Sequence, residues 1–187
     1  MIEVFSEISK RMIRAVMLHA QLTDYFDFLD LHGYKRWHEY RFFAENAELR
    51  GVHRYAINHC NRLIPETSVD NPRMIPSNWE NYTRFQVDNS TRKSAVKEAF
   101  EKWYQWENET KMFLESQFKT LAEASKIADA DKVNEMICGV DQELKELTRE
   151  LLSLRAVDYD PSYIMMRQGE LHEKYREEEK KIGVDIC

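Results

Sequence analysis

Glycine and proline are scarce along this chain, and where they fall decides what it can build. Only 5 glycines and 4 prolines occur in 187 residues, and Pro65, Pro72 and Pro76 share one short segment. A helix interior loses about 3 kcal/mol to a proline and about 1 kcal/mol to a glycine. The long stretches between these breakers can therefore run as uninterrupted helices. Within them, apolar residues recur in alternating steps of three and four, the period of a helix with one buried face. The spacing predicts helices over residues 3–31, stopped by Gly33; 35–63, stopped by Pro65; 91–127, after the capping candidates Asp88, Asn89 and Ser90; and 131–155. A fifth helix is expected over 161–182, opened by the Asp160-Pro161 pair and ended at Gly183.

The expected inner stripes are Ile8, Met12, Ala15, His19, Leu22, Phe26 and Leu29 on the first helix, and Phe42, Asn46, Leu49, His53, Ala56 and Cys60 on the second. The third offers Trp103, Glu107, Thr110, Leu114 and Leu121; the fourth offers Val133, Ile137, Val140, Leu144, Leu147, Leu151 and Leu154. The first-to-second and third-to-fourth connections are short, so each pair should form an antiparallel hairpin. Residues 64–90 show no helical pattern and are too many for a simple turn. Such a segment can traverse the bundle lengthwise and leave the second and third helices parallel. The expected fold class is all-α: a four-helix bundle of two hairpins joined by a long crossover, over residues 1–158, with a C-terminal helix over 159–187 packed on it or extending it.

Composition narrows the function classes. The net charge of −6 gives no basis for nucleic-acid binding, and no basic stripe with interleaved aromatics is present. No stretch approaches the ~20 apolar residues of a membrane span. Cys60, Cys138 and Cys187 are few and far apart, which points to a reducing, cytoplasmic setting. No phosphate-binding glycine loop, nucleophile elbow or Ser/His/Asp arrangement is visible.

Polar residues on the inner stripes carry what chemistry there is. A buried carboxylate such as Glu107 costs several kcal/mol unless it is paired, hydrogen-bonded or metal-bound. The run FFAENAELRGVH (42–53) resembles the second-helix signature of ferritins and bacterioferritins, and MIPSNW (74–79) is similar to their crossover passage. SAVKEAFEKWYQWENET (94–110) resembles the third helix, with Glu107 matching its glutamate, and GVDQELKEL (139–147) the acidic patch of the fourth. The likeness spans about residues 5–155. It implies the ferritin-like bundle, a homo-oligomer, and iron handling or oxidation at an interior metal site.

The departures from that pattern leave two readings open. Arg50 stands three residues before His53, where ferritins place a bridging glutamate; a shifted alignment puts Glu48 there and loses the histidine. The first helix has no glutamate on its stripe, only His19 near the expected position, and Asp141 or Glu143 is the approximate counterpart on the fourth. One reading is an Arg50–Glu107 ion pair in place of the metal, and no metal bound. The other is a reduced site of His19, His53, Glu107 and Asp141 or Glu143, suited to iron, manganese or zinc. His32, His38, His59 and His172 share no inner face with a carboxylate at metal spacing, so surface or turn positions are expected for them.

Overall fold

The structure, a computed structural model, describes residues 2–65, 68–75 and 83–182. Five helices account for most of it: α1 (Ile2–Phe28), α2 (His32–Cys60), α3 (Asn89–Glu123), α4 (Ile127–Ala156) and α5 (Pro161–Ile182), with a short 3-10 turn at Arg84–Gln86. The expected caps form. Asp88 accepts the Thr91 N–H at 2.7 Å to open α3, and Asp160 accepts the Ser162 and Tyr163 N–H groups at 2.9 and 3.1 Å to open α5.

The first two helices end about three residues earlier than Gly33 and Pro65 suggest. Asp30 (φ 61°) and Asn61 (φ 51°) take the left-handed conformation themselves. Behind them Leu31 N–H reaches Phe26 O at 2.9 Å in a Schellman bond, and Arg62 N–H reaches Ala56 O at 3.2 Å across a slightly wider loop. Gly33 lies inside the first turn of α2, where it permits a close approach instead of ending a helix. A Cβ there would sit 1.8 Å from the backbone carbonyl oxygen of Gln168. The α5 backbone is seated against α2 where a side chain has been left out.

Pairing runs antiparallel within each hairpin. Ser9 meets His53 and His19 meets His38 between α1 and α2; Glu101 meets Arg155 and Lys111 meets Asp141 between α3 and α4. Contacts of Tyr34 with Glu150, Arg41 with Glu143 and Tyr55 with Asp129 make α2 antiparallel to α4, hence parallel to α3. The intervening segment returns along α1, where Gln21 donates to the Pro72 carbonyl at 2.6 Å and Arg84 to the Asp27 carbonyl at 2.9 Å. The two-hairpin topology with one long crossover is therefore as expected; Trp79, within the crossover, lies outside the described residues. Helix α5 runs parallel to α2 and antiparallel to α4, through Trp37–Tyr175 stacking at 5.4 Å and the Arg167–Glu150 pair at 2.9 Å.

The bundle has two apolar cores. One, rich in aromatics, gathers Phe26, Tyr34, Trp37, Phe100, Trp103 and Tyr175 toward the α1–α2 turn. The other gathers Phe5, Ile8, Val52, Leu114 and Val133 toward the opposite end. Between the two lies a layer of buried charge.

Candidate functional site: a buried acidic layer

The layer begins with α2, one face of which carries Arg41, Glu45 and Glu48 at helical steps of four and three, one above another. Glu107 from α3 and Glu143 from α4 approach from across the bundle, while α1 contributes Met12 and Ala15. Glu45, Glu48, Glu107, Glu143, Met12 and Ala15 line a cavity of about 20 Å³, room for one water-sized species, with Arg41 behind the carboxylates. Glu45 and Glu107 are 8% and 3% exposed, whereas Glu48 stands at the solvent side of the layer.

The cation at the centre is Arg41. Its Nη2 donates to Glu45 Oε1 at 2.6 Å and to Glu143 Oε1, tying α2 to α4. Burial alone would lower the Arg41 pKa, but the charges of Glu143, Glu45 and Glu107 hold it above the ordinary arginine value. Glu107 accepts a 2.9 Å hydrogen bond from Trp103 Nε1. Burial, then the charge of Glu45, pushes Glu107 up to about 7, against the pull of Arg41 and the Trp103 bond. Glu143 is also held well above the carboxylate range, by burial first and by Glu107 and Glu45 beside it, although Arg41 pulls it down. Among the described residues, Arg41 Nε and Glu143 Oε2 are buried without a hydrogen-bond partner.

A second arginine closes the cavity beside α1. Arg11 donates to Thr110 Oγ1 and to the Trp106 carbonyl, both at 2.9 Å, with its guanidinium 3.6 Å over the Trp106 ring. One layer toward the aromatic core, His19 and His38 face each other, Nδ1 to Nδ1 at 2.9 Å, both fully buried. One nitrogen donates and the other accepts. Burial drives the His19 pKa well below 6.5 and that of His38 down to about 3, with Arg41 adding to both, so both rings are neutral at ordinary pH.

Of the residues singled out from the sequence, Glu107 and Glu143 come together in this layer. His53 does not line the cavity; its Nε2 lies 2.8 Å from Ser9 Oγ on the α1–α2 interface. Asp141 pairs with Lys111 at 2.7 Å near the surface. His19 bonds to a histidine, not to a carboxylate. The expected Arg50–Glu107 pair does not form among the described residues: Arg50 is exposed, because the inner face of α2 is turned about one residue from the stripe through Phe42, Asn46 and Leu49. His38, expected at a surface or turn, is at 0% exposure. Phe26 stacks on it at 5.2 Å with an interplanar angle of 4°, which explains how an apolar core accepts it. Arg41, Glu45, Arg11 and His38 are the residues that hydrophobic periodicity passes over. The Arg-x-x-x-Glu-x-x-Glu spacing of α2, three charged groups on one helical face, is the signal that could have found the first two. Among the described residues, no three His, Cys, Asp or Glu side chains are arranged to hold a metal ion, and no helix is long and apolar enough to cross a membrane.

No protein-family model matches the sequence, and no curated protein matches it either. Solved structures do match its fold. An open-pore ferritin from the hyperthermophilic archaeon Archaeoglobus fulgidus is similar with a TM-score of 0.75 at 16% identity, covering 91% of this chain and 94% of that one. A humanized archaeal ferritin gives a TM-score of 0.76 at 16% identity, over 91% and 94% of the two chains. A closed form of the Archaeoglobus fulgidus ferritin, engineered by site-directed mutagenesis, gives 0.75 at 16% identity, over 91% and 93%. The likeness extends over most of each chain, and what it shows is the fold.

Proposed function

We infer that this ferritin-fold chain carries its own cation where a ferritin-like bundle would hold metal, and that it serves as a non-oxidising subunit of a homo-oligomer. The observation that supports this reading is Arg41 Nη2 bonded to Glu45 on one helix and Glu143 on another. The residues present do not fit a two-metal centre. Two of the carboxylates are engaged by a guanidinium, and the histidines His19 and His53 are bonded elsewhere. A divalent ion entering the layer would face the fixed positive charge of Arg41. At about 4 Å and an effective dielectric of ~20, each unit-charge interaction is worth about 4 kcal/mol, so the sign of one group decides the outcome.

A second reading is supported by the surplus of acid. Glu45, Glu48, Glu107 and Glu143 outnumber Arg41 and Arg11 around the cavity, so one weakly held ion such as iron, manganese or zinc could take the place of the protons that Glu107 and Glu143 hold. Anaerobic Fe(II) titration of the wild type and of Arg41→Met, followed by exposure to oxygen, separates the two. The first reading expects no tight iron in the wild type and new affinity in the variant. A single weak equivalent in the wild type would favour the second. Two tightly bound irons with rapid oxidation would overturn both.

A further inference from the structure

Away from the acidic layer, α5 leaves a cleft against α4 with its floor on α2. Its volume is about 180 Å³, and charged side chains stand around an apolar floor. The floor is Trp37, Leu171 and Tyr175, each 2–3% exposed, so a guest would touch ring edges and an aliphatic chain already held in place. The Trp37 and Tyr175 rings stack on each other at 5.4 Å, which fixes both.

The charges on the walls are not evenly matched. Glu150, 2% exposed, accepts from Arg167 at 2.9 Å and from the Tyr34 hydroxyl at 3.3 Å. Glu146 is met by Lys174 at 3.3 Å and by the Tyr175 hydroxyl at 3.4 Å. Both carboxylates of the lining thus already have a cation. Arg149 has no such partner: it is exposed and makes no ion pair or hydrogen bond among the described residues. Ser153 stands one helical turn further along α4, on the same face, with its hydroxyl also unengaged among the described residues. Lys174 is committed to Glu146 and Arg167 to both Glu150 and Glu170, so Arg149 is the one cation of the lining without a carboxylate among the described residues.

We propose that this α4–α5 cleft binds a small organic carboxylate with a flat apolar body. Arg149 takes the carboxylate as a planar fork, the Ser153 hydroxyl donates a further hydrogen bond, and the body rests against the exposed edges of Trp37, Leu171 and Tyr175. The single uncommitted guanidinium selects a monoanion. A phosphate dianion would bring a second negative charge against Glu146 and Glu150, and a neutral ring would gain no ion pair with Arg149. The site depends on α5 and is independent of Arg41 and of any metal.

Benzoate, benzyl alcohol and inorganic phosphate serve as probes on the full chain, with binding followed by the Trp37 indole N–H resonance and by calorimetry. Benzoate is expected to bind saturably and to shift Trp37, while benzyl alcohol and phosphate do not. Arg149→Ala, which removes an exposed and unpaired side chain, should weaken benzoate roughly tenfold or more. Ser153→Ala should weaken it less. Absence of saturable benzoate binding would overturn the proposal. So would equal affinity in Arg149→Ala, equal binding of benzyl alcohol, or a shift confined to residues outside the cleft.

Discussion

Replacing Arg41 with methionine keeps much of the aliphatic bulk of the side chain and deletes its charge, so it isolates what the guanidinium does. In the wild type, Arg41 neutralises part of a layer holding Glu45, Glu107 and Glu143, two of which it bonds directly. Removing one partner of a buried ion pair costs about 3–5 kcal/mol, because the remaining charge stays desolvated. A domain has only about 5–15 kcal/mol in total, so the variant should be near the edge of stability above neutral pH. The carboxylates left behind have an escape, which is to take up protons.

That escape makes the loss depend on pH. A carboxyl whose folded pKa is raised above its unfolded value binds more protons in the folded state across the interval between the two. Stability then falls as pH rises through that interval, and the full penalty applies above the folded pKa. Glu107 already behaves this way in the wild type, between the ordinary value of 4.5 and about 7. Arg41→Met should add at least one more such group, steepening the loss by about 1.4 kcal/mol per pH unit for each extra proton held. Urea unfolding of both proteins at about pH 6 and about pH 8 measures this directly. The deficit of the variant is expected to be ~4–5 kcal/mol at the higher pH and to shrink by about half at the lower. A variant as stable as the wild type at both values, or a deficit that does not change with pH, would refute the idea of a charge-compensated layer.

Other substitutions probe neighbouring positions. Arg50→Ala should change stability by no more than ~0.5 kcal/mol in urea unfolding, since Arg50 is exposed and unpaired among the described residues. Gly33→Ala should cost about 3 kcal/mol or more and raise amide exchange throughout α5, because the new Cβ would fall 1.8 Å from the Gln168 carbonyl oxygen. The His19–His38 pair is buried neutral with depressed pKa values, so its contribution is complete above about 6.5 and is lost as pH falls toward 3. Replacing His38 with phenylalanine should therefore reduce the steepness of acid unfolding, read from urea midpoints at about pH 6.5 and about pH 4.5.

The fold was legible because its signals are independent of the chemistry. Short turns and the Asp88 and Asp160 caps are local features, and each survives in the structure. On α1 the expected stripe from Ile8 to Leu29 is buried throughout. There the inner face is apolar except for Ser9 and His19, so hydrophobicity and burial largely agree. The second helix is where reading from hydrophobicity fails. Its bundle-facing side carries Arg41, Glu45 and Glu48, while Phe42 and Phe43 sit half-buried outside it. Periodicity of apolar residues therefore favours a stripe displaced by about one position, and that displacement carries Arg50 inward and Arg41 outward. The helix ends err for a similar reason: Asp30 and Asn61 adopt left-handed φ without a glycine to announce it.

The displaced stripe also shows why a guanidinium could enter this layer at all. Four residues separate Arg41 from Glu45, so the two stand one turn apart on the same face and the long arginine side chain can reach along the helix. Its second bond, to Glu143, crosses to α4, which α2 faces antiparallel. Arg50 lies further along the same helix. At about 100° per residue, the steps from position 41 to position 50 amount to about two and a half turns, which carries Arg50 to the opposite face, away from both acids. Position 41 therefore ties α2 to α4 in a way that position 50 cannot. The single variants Arg41→Met and Arg50→Met should separate the two cleanly. Only the first should loosen the α2–α4 contact, seen as faster amide exchange around Glu45 and Glu143 at about neutral pH. Equal protection in both variants would place the stabilising cation elsewhere, with Arg11 beside Trp106 as the remaining candidate.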